Sequence, residues 1–124
     1  MCLRGVSAIE QILQQNHSDN LRVFVVWEPI LPTDWFRPSR FVQHRITDPR
    51  AIQFWDKNHL VAAALRAHLP EPQLEGRSKI LWDVVAVYPK DAEWNSAPVF
   101  FGGRVVRAAP EVAKKLEAFL PATR

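Results

Sequence analysis

The most prominent pattern in the chain is the segment Leu21–Trp27, in which Val23–Trp27 is apolar without a break. Five of its seven residues are β-branched or aromatic, and it contains no glycine or proline. Because apolar and polar residues do not alternate, the pattern predicts a strand that is covered on both faces, as in the interior of an α/β sheet. Glu28-Pro29 ends this strand, since proline cannot donate a hydrogen bond to a neighbouring strand.

The start of the chain has a different period, with apolar residues three and four positions apart and polar residues between them. This spacing is typical of an amphipathic helix, here about four turns long. Its apolar positions are Leu3, Val6, Ile9, Ile12 and Leu13. The polar stretch 16–20 then forms a loop that leads into the predicted core strand.

Proline and aspartate divide the middle of the chain into short helical segments. Residues 38–46 begin with Pro-Ser and predict one short helix, and Asp48-Pro49 predicts a second helical start. Ile52–Trp55 fits either the end of that turn or a short edge strand. Asp56 is the expected N-terminal cap of a longer helix, His59–Leu69, which Pro70 ends.

The last third of the chain predicts two more strands and a closing helix. Ile80–Tyr88 is strongly apolar and is interrupted only by Asp83. A third strand covers about Pro98–Phe101, and Gly102-Gly103 ends or bulges it. A final amphipathic helix is expected from about Ala109.

Composition narrows the class of protein. With 124 residues, 48% apolar and 23% charged, the chain is expected to form one globular domain over residues 1–124. It has no apolar run for a membrane span and no signal peptide, so we expect no membrane partner and a cytoplasmic location. The net charge of +3 is scattered along the chain, so nucleic acid is not an expected partner either.

The candidate chemistry is limited. One cysteine excludes an internal disulfide and a multi-cysteine zinc site, and the four histidines do not have the spacing of a metal site. No phosphate-binding glycine loop is present. We therefore expect neither a metal nor another cofactor, and we expect the histidines to be solvated.

The predicted order of elements resembles a thioredoxin-like fold, with a mixed central β-sheet flanked by helices, that has lost its first strand. Cys2–Val6 resembles the second cysteine of a Cys-x-x-Cys motif and the first turn of the redox helix. Trp55–Leu65 resembles the segment before the third helix in peroxiredoxin-like and cytochrome-maturation thioredoxins. Val84–Trp94 resembles the strand and turn that follow in the same proteins.

Two features depart from the thioredoxin-like pattern. The chain begins one residue before the second cysteine of the motif, and residues 77–81 lack the proline that normally precedes the penultimate strand. The missing strand would lie between Leu21–Trp27 and Ile80–Tyr88. Three arrangements could close that gap: direct antiparallel pairing of these two strands, a second copy of the chain in a homodimer, or residues upstream of Met1. Of these three arrangements, we expect direct antiparallel pairing of the two strands ahead of the others.

The resemblance implies a thiol-based redox or thiol-binding function through Cys2, with a protein or a small thiol as its partner. Arg4 and the helix N-terminus would favour the Cys2 thiolate, and Asp83 would accept a proton near the thiol. The alternatives are an inert Cys2 and a structural ion pair of Asp83 with Arg104 or Arg107. In that case the chain is a non-catalytic protein-interaction domain on the same scaffold.

Overall fold

The computed structural model of the protein describes residues 3–31, 36–93 and 95–120. Within these ranges the chain forms five helices and four strands, which follow one another in a mixed order. The elements are α1 Leu3–Gln15, β1 Val23–Trp27, α2 Arg40–Gln43, β2 Ala51–Trp55, α3 Leu60–Ala67, α4 Glu71–Leu74, β3 Val84–Val87, β4 Phe100–Gly103 and α5 Val105–Phe119. The predicted α/β class is therefore confirmed.

The first two strands form a parallel pair, in which Val23 lies opposite Ala51 and Trp27 lies opposite Trp55. This register settles the open question about the segment before Asp56, which is a strand and not the end of a helical turn. One face of the pair packs under α1. On that face Trp27 is buried, and its indole Nε1 donates a 2.8 Å hydrogen bond to Oε1 of Gln53.

The opposite face of the β1–β2 pair is uncovered, so the prediction that both faces of the first strand are buried is wrong. Phe24 is 63% exposed, Phe54 48% and Ile52 46%. The two phenylalanine rings contact each other, with their centroids 6.2 Å apart. The uninterrupted apolar pattern was misleading because α3, which could have covered this face, packs on the other pair of strands.

The predicted helical start at Asp48-Pro49 is also wrong. The Asp48 carboxylate instead accepts hydrogen bonds from the backbone N–H and the guanidinium of Arg50. The same guanidinium donates to the carbonyls of Leu13, Asn16 and Ser18, at 2.6, 2.7 and 2.8 Å. These carbonyls lie at and just beyond the end of α1, where a helix has no internal donors for them. Arg50 therefore ties the end of α1 to the start of β2.

The predicted cap of the third helix is confirmed. Asp56 is buried, and its two carboxylate oxygens accept hydrogen bonds from the N–H groups of Leu60 and Val61, at 2.9 and 2.8 Å. The helix is shorter than expected, because it ends at Ala67. It packs with α4 against the second pair of strands, where Leu69, Leu81 and Phe101 form a buried cluster.

The second pair of strands, β3 and β4, is antiparallel, with Val84 opposite Gly103 and Val87 opposite Phe100. The observed β3 is shorter than the predicted strand Ile80–Tyr88. Its alternate residues pack into different clusters, so both of its faces are covered. Val85 and Val87 pack with α1 and α5, while Val84 and Ala86 pack with α3.

The closing helix begins at Val105, four residues earlier than predicted. Pro110 lies inside it, and Arg104 is its N-cap residue. The early start is supported by Asp83, whose Oδ1 accepts a 3.1 Å hydrogen bond from the N–H of Val105. The buried residues of α5 are Ala108 and Val112, so its buried face already begins before Ala109, where the pattern had placed the start of the helix.

The strands of the described ranges make two separate two-stranded sheets instead of one central sheet. The expected direct pairing of the first and third strands is therefore wrong, since β1 pairs with β2 and β3 pairs with β4. Both sheets nevertheless share one layer of helices. Ile9 of α1 and Leu116 of α5 pack against the clusters of both sheets.

Candidate functional site

The predicted nucleophile, Cys2, lies outside the described residues. The described part of the chain begins at the next residue, Leu3, which is the first residue of α1. The first turns of α1 line a shallow groove of about 320 Å³. The residues that line it are Leu3, Arg4, Ser7, Ala8, Gln11, Arg45 and Val106.

The charged residues that line this groove are both arginines, Arg4 and Arg45. Arg45 is held from below by Phe41, since its guanidinium carbon lies 5.7 Å from the centre of that ring. A guanidinium and the unpaired N–H groups of a helix start both favour an anion. The groove therefore combines two cationic side chains with the N-terminus of α1, the helix that follows Cys2 in the sequence.

Sequence reasoning found Arg4 from its position in the first turn of the helix, but it missed Arg45. Forty-one residues separate the two arginines along the chain, and no motif links them. They line the same groove because the residues just after α2 lie beside the first turns of α1. Only the packing of these two elements could have identified Arg45.

Asp83, the predicted proton acceptor, lies away from the groove that Arg4 and Arg45 line. It precedes β3 with a φ of 52°, a left-handed conformation that aspartate tolerates better than most residues. Its side chain caps the first turn of α5, as described above. It lines a second groove, with Arg77 and Arg104, and does not line the groove of Arg4.

The second groove is also about 320 Å³ in volume, and its geometry depends on a glycine. The guanidinium of Arg77 lies 4.7 Å from the centre of the Phe101 ring. A Cβ atom at Gly103 would come within 2.9 Å of Nη1 of Arg77 and 2.8 Å of the Asp83 carbonyl oxygen. The carbonyl of Asp83 is the contact that requires glycine here, because a backbone atom cannot move aside as the end of an arginine side chain can.

A third polar cluster lies at the carboxyl ends of the two parallel strands, where α/β proteins commonly place their sites. Glu28 follows β1, and its Oε2 lies 3.0 Å from Nδ1 of His59. Burial raises the pKa of Glu28, and the hydrogen bond from His59 opposes that shift. The expectation that the histidines are solvated is therefore wrong for His59, which is partly buried and paired.

None of these three sites has a set of side chains suited to hold a metal ion among the described residues. Among the residues that the structure describes, no three or more His, Cys, Asp or Glu side chains are grouped so that they could hold an ion. None of the helices in the described ranges is long and apolar enough to cross a membrane.

Three comparisons with known proteins found no match. No family model matches this chain, and no curated protein or solved structure is significantly similar to it. The functional argument therefore depends on the residues and the geometry of the chain itself.

Proposed function

We propose that this chain is a thioredoxin-like domain that acts through the thiol of Cys2, in redox exchange or in binding of other thiols. The observation that carries the proposal is the groove at the start of α1, where Arg4 and Arg45 line the same surface and no carboxylate of the described residues lines it. A thiol at such a place is expected to ionise more easily than a free cysteine, because both arginines and the helix N-terminus stabilise its anion.

The chemistry open to a single thiolate is exchange with a disulfide. The Cys2 sulfur attacks one sulfur of a partner disulfide, a new S–S bond forms, and the other partner sulfur leaves as a thiolate. Since the chain has one cysteine, a second thiol must come from the partner to release the product. Asp83 has a structural part in this proposal, because it caps α5 and does not line the groove.

The proposal is tested by the rate of alkylation of the chain with iodoacetamide as a function of pH. Cys2 is the one cysteine of the chain, so the measurement reports on it alone. We expect a midpoint below the free value of about 8.5. A midpoint at or above that value contradicts the proposal.

Two variants separate the groove from general effects of charge. Arg45→Gln should move the midpoint upward, because it removes one of the two groove cations. Arg22→Gln is the matched control, since Arg22 is exposed just before β1 and its guanidinium donates to the carbonyls of Asp19 and Leu21. If both variants shift the midpoint equally, the groove has no specific role.

A second candidate function is a non-catalytic protein-interaction domain. The observation that favours it is the uncovered apolar face of the β1–β2 sheet, formed by Phe24, Ile52 and Phe54. A contiguous exposed patch of aromatic and aliphatic side chains is typical of a surface that binds another molecule. A normal Cys2 pKa, together with a Cys2→Ser variant that still binds its partner, would favour this candidate over the first.

A further inference from the structure

We infer that the second groove binds a small phosphate monoester that carries a planar ring, the chemical class to which nucleoside monophosphates belong. Arg77 and Arg104 supply its cations, and Trp82 supplies an aromatic surface. The inference does not depend on the chemistry of Cys2 or on the groove at the start of α1. It assigns a ligand to a part of the fold that the proposed function does not use.

The first observation is that the side chain of Arg77 is restrained on two sides. Its Nε donates a 2.9 Å hydrogen bond to the carbonyl of Gln73, and its guanidinium carbon lies 4.7 Å from the centre of the Phe101 ring. That ring is buried, so it provides a fixed surface for the guanidinium. A planar guanidinium can pair two of its N–H groups with two oxygens of one phosphate. Because the side chain is already ordered, the ligand does not have to order it on binding.

The second observation is that the backbone around Arg77 is fixed to the neighbouring helices. Gly76 has a φ of 75°, a left-handed conformation that glycine adopts without strain. The N–H of Arg77 donates to the carbonyl of Leu74 in α4, at 3.1 Å. Arg66 of α3 donates from Nη1 to the carbonyl of Ser78, at 3.0 Å. This wall of the groove is therefore formed before any ligand binds.

The third observation is the balance of charge along the groove. Arg77 and Arg104 line it, and Asp83 is the carboxylate among its described lining residues. Oδ1 of Asp83 accepts a hydrogen bond from the N–H of Val105, so this oxygen is directed towards the start of α5. Two cations and one carboxylate favour an anionic ligand. A phosphate monoester carries between about −1.5 and −2 charges at neutral pH, so it matches two arginines better than a singly charged carboxylate does.

The fourth observation is the aromatic surface beside the arginines. Leu81 is buried, whereas the next residue, Trp82, is 50% exposed and lines the groove. The exposed face of an indole is a surface on which a planar ring can stack. The groove measures about 320 Å³, which is at the lower end of the volumes of small-molecule sites. A small molecule with a phosphate near the arginines and a ring on Trp82 would use all of these features.

The inference is tested by NMR of the full, nitrogen-labelled chain during titration with adenosine monophosphate. We expect a dissociation constant below about 1 mM at physiological ionic strength. The signals of the Arg77 guanidinium, the Trp82 indole N–H and the backbone amides 76–78 should shift together, because these groups line one groove. Shifts that do not saturate by about 10 mM, or that lie elsewhere in the chain, would overturn the inference.

Two fragments of the probe separate the two halves of the site. Adenosine keeps the planar ring but lacks the phosphate, and ribose phosphate keeps the phosphate but lacks the ring. Each fragment should bind at least about tenfold more weakly than adenosine monophosphate. Equal affinity for adenosine would show adhesion of the ring alone, and equal affinity for ribose phosphate would show a site for any phosphate. Either result would overturn the assigned ligand class.

Substitutions of arginine locate the ligand in the second groove. Arg77→Gln should weaken the binding of adenosine monophosphate at least about tenfold, because the restrained guanidinium is lost. Arg77→Lys keeps the charge but not the planar fork, and it should still weaken binding by about threefold or more. Arg45→Gln removes a cation of the other groove and should leave the affinity within about twofold. Equal losses for Arg45→Gln and Arg77→Gln would show a general effect of charge and contradict the inference.

Trp82→Leu tests the stacking without a change of charge. It should weaken the binding of adenosine monophosphate by about fivefold and leave the affinity for ribose phosphate unchanged, because the sugar has no planar ring. Phe54→Leu is the matched control, since Phe54 is about equally exposed but lies on the β1–β2 sheet, and it should leave both affinities within about twofold. Thermal midpoints show that each variant is folded. Equal losses of both ligands in Trp82→Leu would show that the indole does not stack on the ring, and would overturn the assigned ligand class.

Discussion

The two sheets of this protein are built from equally apolar strands, yet they are stabilised differently. The β3–β4 sheet lies between two layers, with α1 and α5 on one face and α3 and α4 on the other. The β1–β2 sheet is covered on one face only. Parallel strands are normally covered on both faces, so the β1–β2 sheet is the unusual one.

The difference shows how polar contacts can hold a sheet that has half of the usual apolar cover. The β1–β2 sheet is tied by Arg50, which reaches three carbonyls near the end of α1, and by Gln53, which joins Trp27 to the carbonyl of Gln43. The β3–β4 sheet relies mainly on buried apolar side chains such as Leu81 and Phe101. Mutations should therefore act on the two sheets by different mechanisms.

The largest expected effect distinguishes the two kinds of apolar surface. Phe101→Ala should lower the free energy of unfolding by about 3 to 5 kcal/mol, because it leaves a cavity in a buried cluster and removes the ring beneath Arg77. Phe24→Ala is the matched variant, and since Phe24 is 63% exposed it should cost less than about 1 kcal/mol. Urea denaturation measures both, and equal costs would show that the face of Phe24 is covered in solution.

The second prediction tests the hydrogen bonds by which Arg50 connects the β1–β2 sheet to the end of α1. Arg50→Ala should lower the free energy of unfolding by about 2 to 4 kcal/mol, because it leaves three carbonyls without their donor and removes the guanidinium that pairs with the Asp48 carboxylate. The control is Arg22→Ala, whose exposed guanidinium also donates to carbonyls and should cost less than about 1 kcal/mol. Similar denaturation midpoints for the two variants would contradict a special role for Arg50.

The third prediction concerns the junction between the two sheets, where Asp56 ends β2 and caps α3. Asp56→Ala should cost about 1 to 2 kcal/mol, because the N–H groups of Leu60 and Val61 lose their acceptors. Ser39→Ala removes the cap of the four-residue α2 at an exposed position, so its cost should be smaller. The two thermal midpoints give the comparison, and an equal loss would mean that α3 does not depend on its cap.

The smallest expected effect is a dependence on pH that is confined to the β1–β2 sheet. The hydrogen bond from the Arg50 side chain lowers the pKa of Asp48 from 3.8 to about 2. A lowered pKa in the folded state means that the stabilisation is complete above the ordinary value and is lost as pH falls towards the folded value. Stability should therefore decline between about pH 4 and pH 2 through this carboxylate.

The control for the pH dependence is Asp48→Asn, which cannot ionise. Its unfolding free energy, measured by urea denaturation at several pH values, should fall less steeply in that range than the free energy of the unaltered chain. Identical slopes would show that other carboxylates cause the decline, and that the Asp48–Arg50 pair does not contribute to the free energy of unfolding.

Local signals in the sequence identified most of the elements. The period of α1, the cap formed by Asp56 and the proline that ends β1 act over a few residues, so each could be read from neighbouring positions. Arg4 was proposed as a candidate in the same way, from its place in the first turn of a helix, and it lines the groove at the start of α1. The start of α5 was missed because its cap comes from Asp83, twenty-two residues earlier.

The tertiary structure alone decided which surfaces are covered and which residues meet. The run Val23–Trp27 is equally apolar on both faces, and its pattern cannot show that α3 packs on β3 and β4 instead. Arg4 and Arg45 line one groove, and Glu28 pairs with His59, although the members of each pair are distant in the chain. Helix periods and caps are set by local backbone geometry, whereas these contacts depend on how whole elements pack.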